Sequence, residues 1–154
     1  MARDEWKDEV AKHFDNVRVI ERCQSETLEH FDQFCEFIAE PAFEALEEEM
    51  KERGVRMRYE KRQGRDVRLA FDFPRAKTDQ FHYVIRLPRN SVELKLKLEL
   101  RGRKNPRTVL AVSEHEFMPG LEPAEVMKMS KEALLLDVLE RYRNFIYAAL
   151  TSPD

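Results

Sequence analysis

Cysteine, glycine and long apolar runs are all scarce in this chain. Its two cysteines, Cys23 and Cys35, form neither a C-x-x-C redox pair nor a four-ligand metal set. Both are expected to be reduced thiols, with Cys35 a small core residue inside an apolar helical stripe. Only four glycines and seven prolines occur among 154 residues, which excludes collagen-like and low-complexity chains. No glycine belongs to a G-x-G-x-x-G or G-x-x-x-x-G-K pattern, so the usual phosphate-cradling loops are missing. No stretch approaches about 18 uncharged apolar residues, the length of a membrane-spanning helix. The first twenty residues mix acids and bases without an apolar core, which speaks against a secretory leader. A soluble, cytoplasmic location is expected.

Charge is plentiful and segregated. The formal net charge is −3, and charged residues make up 37% of the chain. Residues 1–50 hold five Lys/Arg against fifteen Asp/Glu, a net of −10. Residues 51–107 hold eighteen against seven, a net of +11, and residues 108–154 hold four against eight, a net of −4. Such blocks constrain partners and association rates rather than fold. With 42% hydrophobic residues, the chain is long enough to build one core and short enough to be one domain, residues 1–154.

Two periodicities divide the chain. Trp6, Val10 and Phe14 recur every four residues and predict a helix over 4–14. The β-branched run Asn16-Val17-Arg18-Val19-Ile20-Glu21 reads as a short edge strand. A long helix is expected over 25–53, capped by Ser25 or Thr27 and ended by Gly54. Its apolar face includes Leu28, Phe31, Phe34, Cys35, Ile38, Phe43, Leu46 and Met50, and Pro41 inside it predicts a kink or two successive helices.

The period then drops to two. Val55, Met57 and Tyr59 alternate with basic residues, as do Val67, Leu69, Phe71 and Phe73 after a turn at Gln63-Gly64. Pro74 closes that strand, Phe81 to Leu87 make the next, and Pro88-Arg89-Asn90-Ser91 is a turn. Val92 to Arg101 alternates without error, and a poorly alternating last strand lies near Thr108–Phe117. A final helix over 123–150, with Ser130 as a second cap, is apolar on a wide face.

The expected fold is therefore α+β: an antiparallel meander of about five strands within 55–117, one face covered by long N-terminal and C-terminal helices. The alternative topology is a curved sheet gripping the C-terminal helix around an internal cavity. Strict alternation puts Arg56, Arg58, Arg68, Arg86, Lys95, Lys97 and Arg101 on the polar sheet face. These are the candidate binding residues, because guanidinium forks and ammonium groups recognise phosphate and carboxylate. Asp66, Asp72, Glu60, Glu93 and Glu99 share that phase, and ion pairing alone would account for the pattern. The aromatic residues lie on the inward phase, which weakens base stacking.

The expected function is non-catalytic binding or assembly, through the cationic face and through a homodimer surface on residues 133–150. A homodimer is the expected assembly, with an acidic protein as a further partner the basic face could take; nucleic-acid backbone is an alternative that is not favoured, and no membrane is expected. Two further alternatives are a small ligand in a sheet–helix cavity and, least favoured, a Mg²⁺-dependent nuclease using Asp72, Glu93 and Lys95. His13, His30, His82 and His115 show no metal-ligand spacing, and Ser113, Ser130 and Cys23 show no assignable base. No cofactor and no catalytic or metal-ligating residue is assigned.

Overall fold

The computed structural model describes residues 4–62, 65–72, 80–105 and 107–151. Helix α1 spans Glu5–Phe34, a π-helical turn spans Cys35–Ala39, and helix α2 spans Glu40–Glu52. Strands β1 (Arg56–Arg62), β2 (Asp66–Asp72), β3 (Gln80–Arg86), β4 (Lys97–Arg103) and β5 (Ala111–Glu116) follow. A 3₁₀ turn at Pro123–Lys128 leads into helix α3, Lys131–Thr151. The five strands pair antiparallel in chain order, β1-β2-β3-β4-β5. Helices from both ends of the chain cover one face. The fold is the expected α+β meander. The turn expected at Gln63-Gly64 and the strand end at Phe73-Pro74 lie outside the described residues.

The expected strand at 16–21 is a correction: those residues continue α1 without a break. β-Branched residues disfavour a helix only weakly, and strand preference depends on having a sheet to join. Val17 and Ile20 instead extend the helical stripe of Trp6 and Val10, and Asp15 pairs with Arg18 one turn on at 3.6 Å. The two expected helices are therefore one, and the caps assigned to Ser25 and Thr27 do not exist. Thr27 sits buried in mid-helix, where its hydroxyl donates to the Cys23 carbonyl at 2.7 Å.

Pro41 acts as expected, through a device one turn upstream. Its ring carries no N–H and crowds the carbonyl four residues back. The helix widens over Cys35–Ala39, where the Glu40 N–H bonds the Cys35 carbonyl five residues back. Pro41 then falls in the first turn of α2, where a donor is not needed. At the other end Gly54 adopts φ +81°, its N–H bonding the Lys51 carbonyl while the Val55 N–H bonds that of Met50. That pair of bonds is a Schellman cap, and it turns the chain directly into β1.

The core lies between the sheet and the helices. Met57, Val67, Leu69, Phe71, Phe81, Tyr83, Ile85 and Leu98 point inward and are buried. They meet Phe31, Phe34, Phe43 and Leu46 from the N-terminal helices and Leu134 and Val138 from α3. Fully burying each such side chain is worth about 1.5–3 kcal/mol. The inward aromatics pack on one another: Phe81 stacks on Phe145 at 5.0 Å, and Phe71 lies 5.0 Å from Tyr142. Met57, Phe71, Phe81 and Tyr83, which face the helices across the sheet, are part of this core.

The faultless alternation at 92–101 only partly forms a strand. β4 begins at Lys97, because β3 ends at Arg86 and Pro88 follows, leaving residues 91–96 no strand to pair with on that side. A tight turn with the Lys95 N–H on the Glu93 carbonyl, 2.9 Å, interrupts the segment. Leu94 and Leu96 still point inward and are buried. Ser130 does cap α3, accepting the Ala133 N–H at 3.1 Å. Among the described residues no helix is long and apolar enough to cross a membrane.

Candidate anion-binding face of the sheet

The pairing register turns the outward residues into four rows across the sheet. One row runs Arg62, Asp66, Arg86, Lys97, Glu116, and the next runs Glu60, Arg68, Val84, Glu99, Glu114. The third runs Arg58, Ala70, His82, Arg101, Val112, and the last Arg56, Asp72, Gln80, Arg103. Neighbours within a row stand about 5 Å apart. Six of the seven expected binding residues, Arg56, Arg58, Arg68, Arg86, Lys97 and Arg101, are brought onto this face. Lys95 is not: it precedes β4 and lies outside the ladder.

The face is a mosaic rather than a uniform cationic plate. Eight basic residues share it with six acidic ones. Arg58 lies 3.7 Å from Asp72, and Arg62 donates twice to Glu60 at 3.2 and 3.3 Å. Arg101 donates to both carboxylate oxygens of Glu99 at 3.2 Å each. Arg86 reaches Glu114 at 3.4 Å and Glu99 at 3.9 Å. The exposed pairs, Arg58–Asp72, Arg62–Glu60 and Arg86–Glu114, contribute at most about 1 kcal/mol each, whereas those of Glu99 are partly buried.

The centre behaves differently from the rim. Ala70 and Val84 point outward yet are buried, with Arg58 beside Ala70 and Arg68 beside Val84 in their rows. Around this small apolar floor, Arg68 Nε, His82 Nδ1 and Arg101 Nε are buried without a hydrogen-bond partner, and so is Asp66 Oδ1. Native proteins pair nearly all such atoms, so each one that is left calls for an explanation. Burial, reinforced by Arg68, Arg101 and Arg58, pushes the His82 imidazole below its ordinary 6.5. Burial also lowers Arg68, with Arg62 and Arg101 adding to the effect. An anion seated here would meet unsatisfied donors and a local excess of positive charge.

The first row opens at the sheet end into a cleft of about 780 Å³ lined by Arg62, Arg65, Arg86 and Arg89, with Asp66, Leu87 and Pro88. Arg65 and Arg89 belong to the turns after β1 and β3. The Pro88–Ser91 turn holds Arg89 in place, with the Ser91 hydroxyl donating to the Pro88 carbonyl at 2.6 Å and Asn90 at φ 63°. Neither Arg65 nor Arg89, the latter in the turn expected at 88–91, is among the expected binding residues, because the proximity of Arg89 to Arg62 depends on the β1-β2-β3 order.

The nuclease constellation is not assembled. Asp72 ends β2 in the last row, whereas Glu93 and Lys95 precede Lys97, which stands in the first row at the opposite end of the sheet. Among the described residues no group of three or more His, Cys, Asp and Glu side chains is placed to hold a metal ion. One contact was not foreseen: His115 Nε2 and Ser113 Oγ lie 3.0 Å apart on β5, same-face neighbours two residues apart. They lie on the solvent edge, and nucleophilic catalysis needs an orienting acid and an oxyanion site besides. Comparison with protein-family models, curated proteins and solved structures found no match.

Proposed function

We propose that this chain is a non-catalytic binding protein that docks an acidic segment of a partner protein across the uncovered sheet face. The observation that carries the reading is the cluster of buried, unpartnered nitrogens at its centre, the Arg68 and Arg101 Nε–H donors beside His82 Nδ1. A carboxylate there accepts from guanidinium groups in the charge-assisted geometry that arginine favours. The arginine-lined cleft at the sheet end offers a second anchor in line with the first.

The mosaic of signs selects the partner. A nucleic-acid duplex presents a phosphate every few ångströms and would meet Glu60, Glu99, Glu114 and Asp66 along with the arginines. Outward aromatic residues for stacking bases are also missing from the four rows. A protein segment with spaced carboxylates and basic residues between them matches an interleaved face better, and it gains register from the mismatches it avoids.

The test is fluorescence anisotropy of a labelled Asp/Glu-rich peptide titrated with the full chain, beside a labelled short DNA duplex. The peptide is expected to bind, to weaken with salt, and to be lost with Arg68→Gln and Arg101→Gln. Undiminished binding by that double variant, or tighter binding of the duplex, contradicts the reading.

A further inference from the structure

The first eighteen residues of α1, Glu5–Arg22, form a helix about 27 Å long that, among the described residues, is exposed along its length except at half-buried Val17. Beyond Val17, burial along α1 starts at Cys23 and Gln24, beside the 3₁₀ turn at Pro123–Lys128. The arm is not polar. Trp6 is 62% exposed, Phe14 58%, Ile20 48% and Val10 46%. It is also rich in valine, isoleucine and aromatic residues, which are mediocre helix formers. A lone helix of this length is marginal in water even when built from the best ones. A surface that apolar on a helix that weak requires a cover.

The spacing of the stripe identifies the cover's geometry. Trp6, Val10, His13, Val17, Ile20 and Gln24 follow alternating steps of four and three, the heptad seam of a coiled coil. The same frame continues to Thr27, Phe31 and Phe34, which are buried against the body. The seam that packs into the core at one end of α1 is thus laid bare at the other.

The flanking residues identify the partner. In this frame Lys7, Phe14 and Glu21 line one edge of the seam. In an antiparallel pair of identical arms that sets Val10 against Ile20 and His13 against Val17, Phe14 meets its own copy at the two-fold axis. Lys7 then meets Glu21 on both sides. A parallel pair sets Glu9 beside Phe14 and Asn16 beside Glu21, with no opposite charges, and it stacks His13 on His13 and Gln24 on Gln24. The antiparallel arrangement also carries the two globular bodies to opposite ends of the pair. We infer that the arm is a self-association element, through which two copies of this chain join as an antiparallel helix pair along the Trp6–Ile20 seam. The inference stands on the arm alone and is independent of the reading of the sheet face.

Light scattering of the full chain at tens of micromolar tests it. The expected mass is twice the monomer's 18.4 kDa. Val10→Asp with Val17→Asp returns the monomer while leaving the thermal unfolding of the body unchanged, since neither side chain belongs to the core. Lys7→Glu weakens the dimer by roughly ten-fold or more, and adding Glu21→Lys restores it, because the pair is merely exchanged. In a Cys23→Ser background, Lys7→Cys mixed with Glu21→Cys yields an oxidised cross-linked dimer, and Lys7→Cys alone does not. A monomeric wild type overturns the proposal. So does a dimer that survives the paired aspartates, or one dissolved by Leu136→Asp and Tyr147→Asp on the exposed side of α3 instead. Cross-linking of Lys7→Cys to itself overturns the antiparallel register.

Discussion

Replacing Gly102 with alanine sets two known effects of opposite sign against each other, and the structure decides between them. Gly102 lies inward on β4, between Phe81 of β3 and Ala111 of β5, under the ring of Phe145 from α3. Its φ is not in the left-handed region, so alanine fits the backbone. On that ground alone the change would stabilise the protein by about 0.4–1 kcal/mol, through a less flexible unfolded chain. A Cβ here, however, would stand 2.3 Å from Phe145 Cε2, 2.8 Å from Cδ2 and 3.0 Å from Cζ. The ring cannot simply turn away, since it stacks on Phe81 at 5.0 Å. Overpacking of this kind costs about 1–3 kcal/mol. The clash wins, leaving Gly102→Ala about 1–2 kcal/mol less stable, or roughly 2–8 °C lower in Tm. Urea unfolding followed by circular dichroism reads the shift, with the m-value unchanged. Phe145→Leu makes room for the methyl group, so the double variant is more stable than the sum of the single changes predicts. A Gly102→Ala protein as stable as the parent, or strict additivity in the double variant, refutes this account of how α3 docks.

The buried thiol and phenols predict a falling stability at alkaline pH. Burial pushes Cys35 from its ordinary 9.0 to about 12 and Tyr59 from 10.0 to about 12. Burial, then the charge of Asp137, raises Tyr83 well above 10.0, and its hydroxyl donates to Asp137 at 2.5 Å. The folded state keeps protons that the unfolded chain releases, so this stability is full below pH 9 and is lost as pH climbs from 9 past 12. Tyr83→Phe lowers neutral-pH stability by about 1 kcal/mol and flattens the alkaline limb, as urea midpoints from pH 8 to 11 will show. His82 works in the other direction: its lowered pKa gives a contribution that is complete above pH 6.5 and lost as the pH falls. His82→Gln therefore flattens the acid limb in the same assay, and an unchanged limb contradicts the burial of its ring among arginines.

Much of the fold was legible because a half-buried antiparallel sheet writes itself into sequence as alternation. Met57/Tyr59, Leu69/Phe71 and Tyr83/Ile85 all point inward as their spacing says. The misreading at 16–21 came from trusting the β-branched residues Val17, Val19 and Ile20 over the longer helical stripe that contains two of them. The start of β4 was illegible for another reason: Val92–Leu96 has strand periodicity, but where a ladder stops depends on the neighbouring strand, here cut short before Pro88. The site was legible only as a list of arginines. That Arg68, His82 and Arg101 converge depends on pairing register, which single-strand patterns do not encode. His82 was therefore indistinguishable from any other surface histidine, and the offset of Lys95 from the ladder was equally hidden.

The most direct test of the sheet face as a binding surface is an NMR titration of the full chain with the Asp/Glu-rich peptide, following the His82 ring and the arginine Nε–H signals. The account predicts salt-sensitive shifts centred on Arg68, His82 and Arg101, and a rise in the His82 pKa as a carboxylate offsets the neighbouring guanidinium charges. Shifts confined to the exposed rim at Arg56 and Arg62, with the His82 titration unmoved, would contradict it.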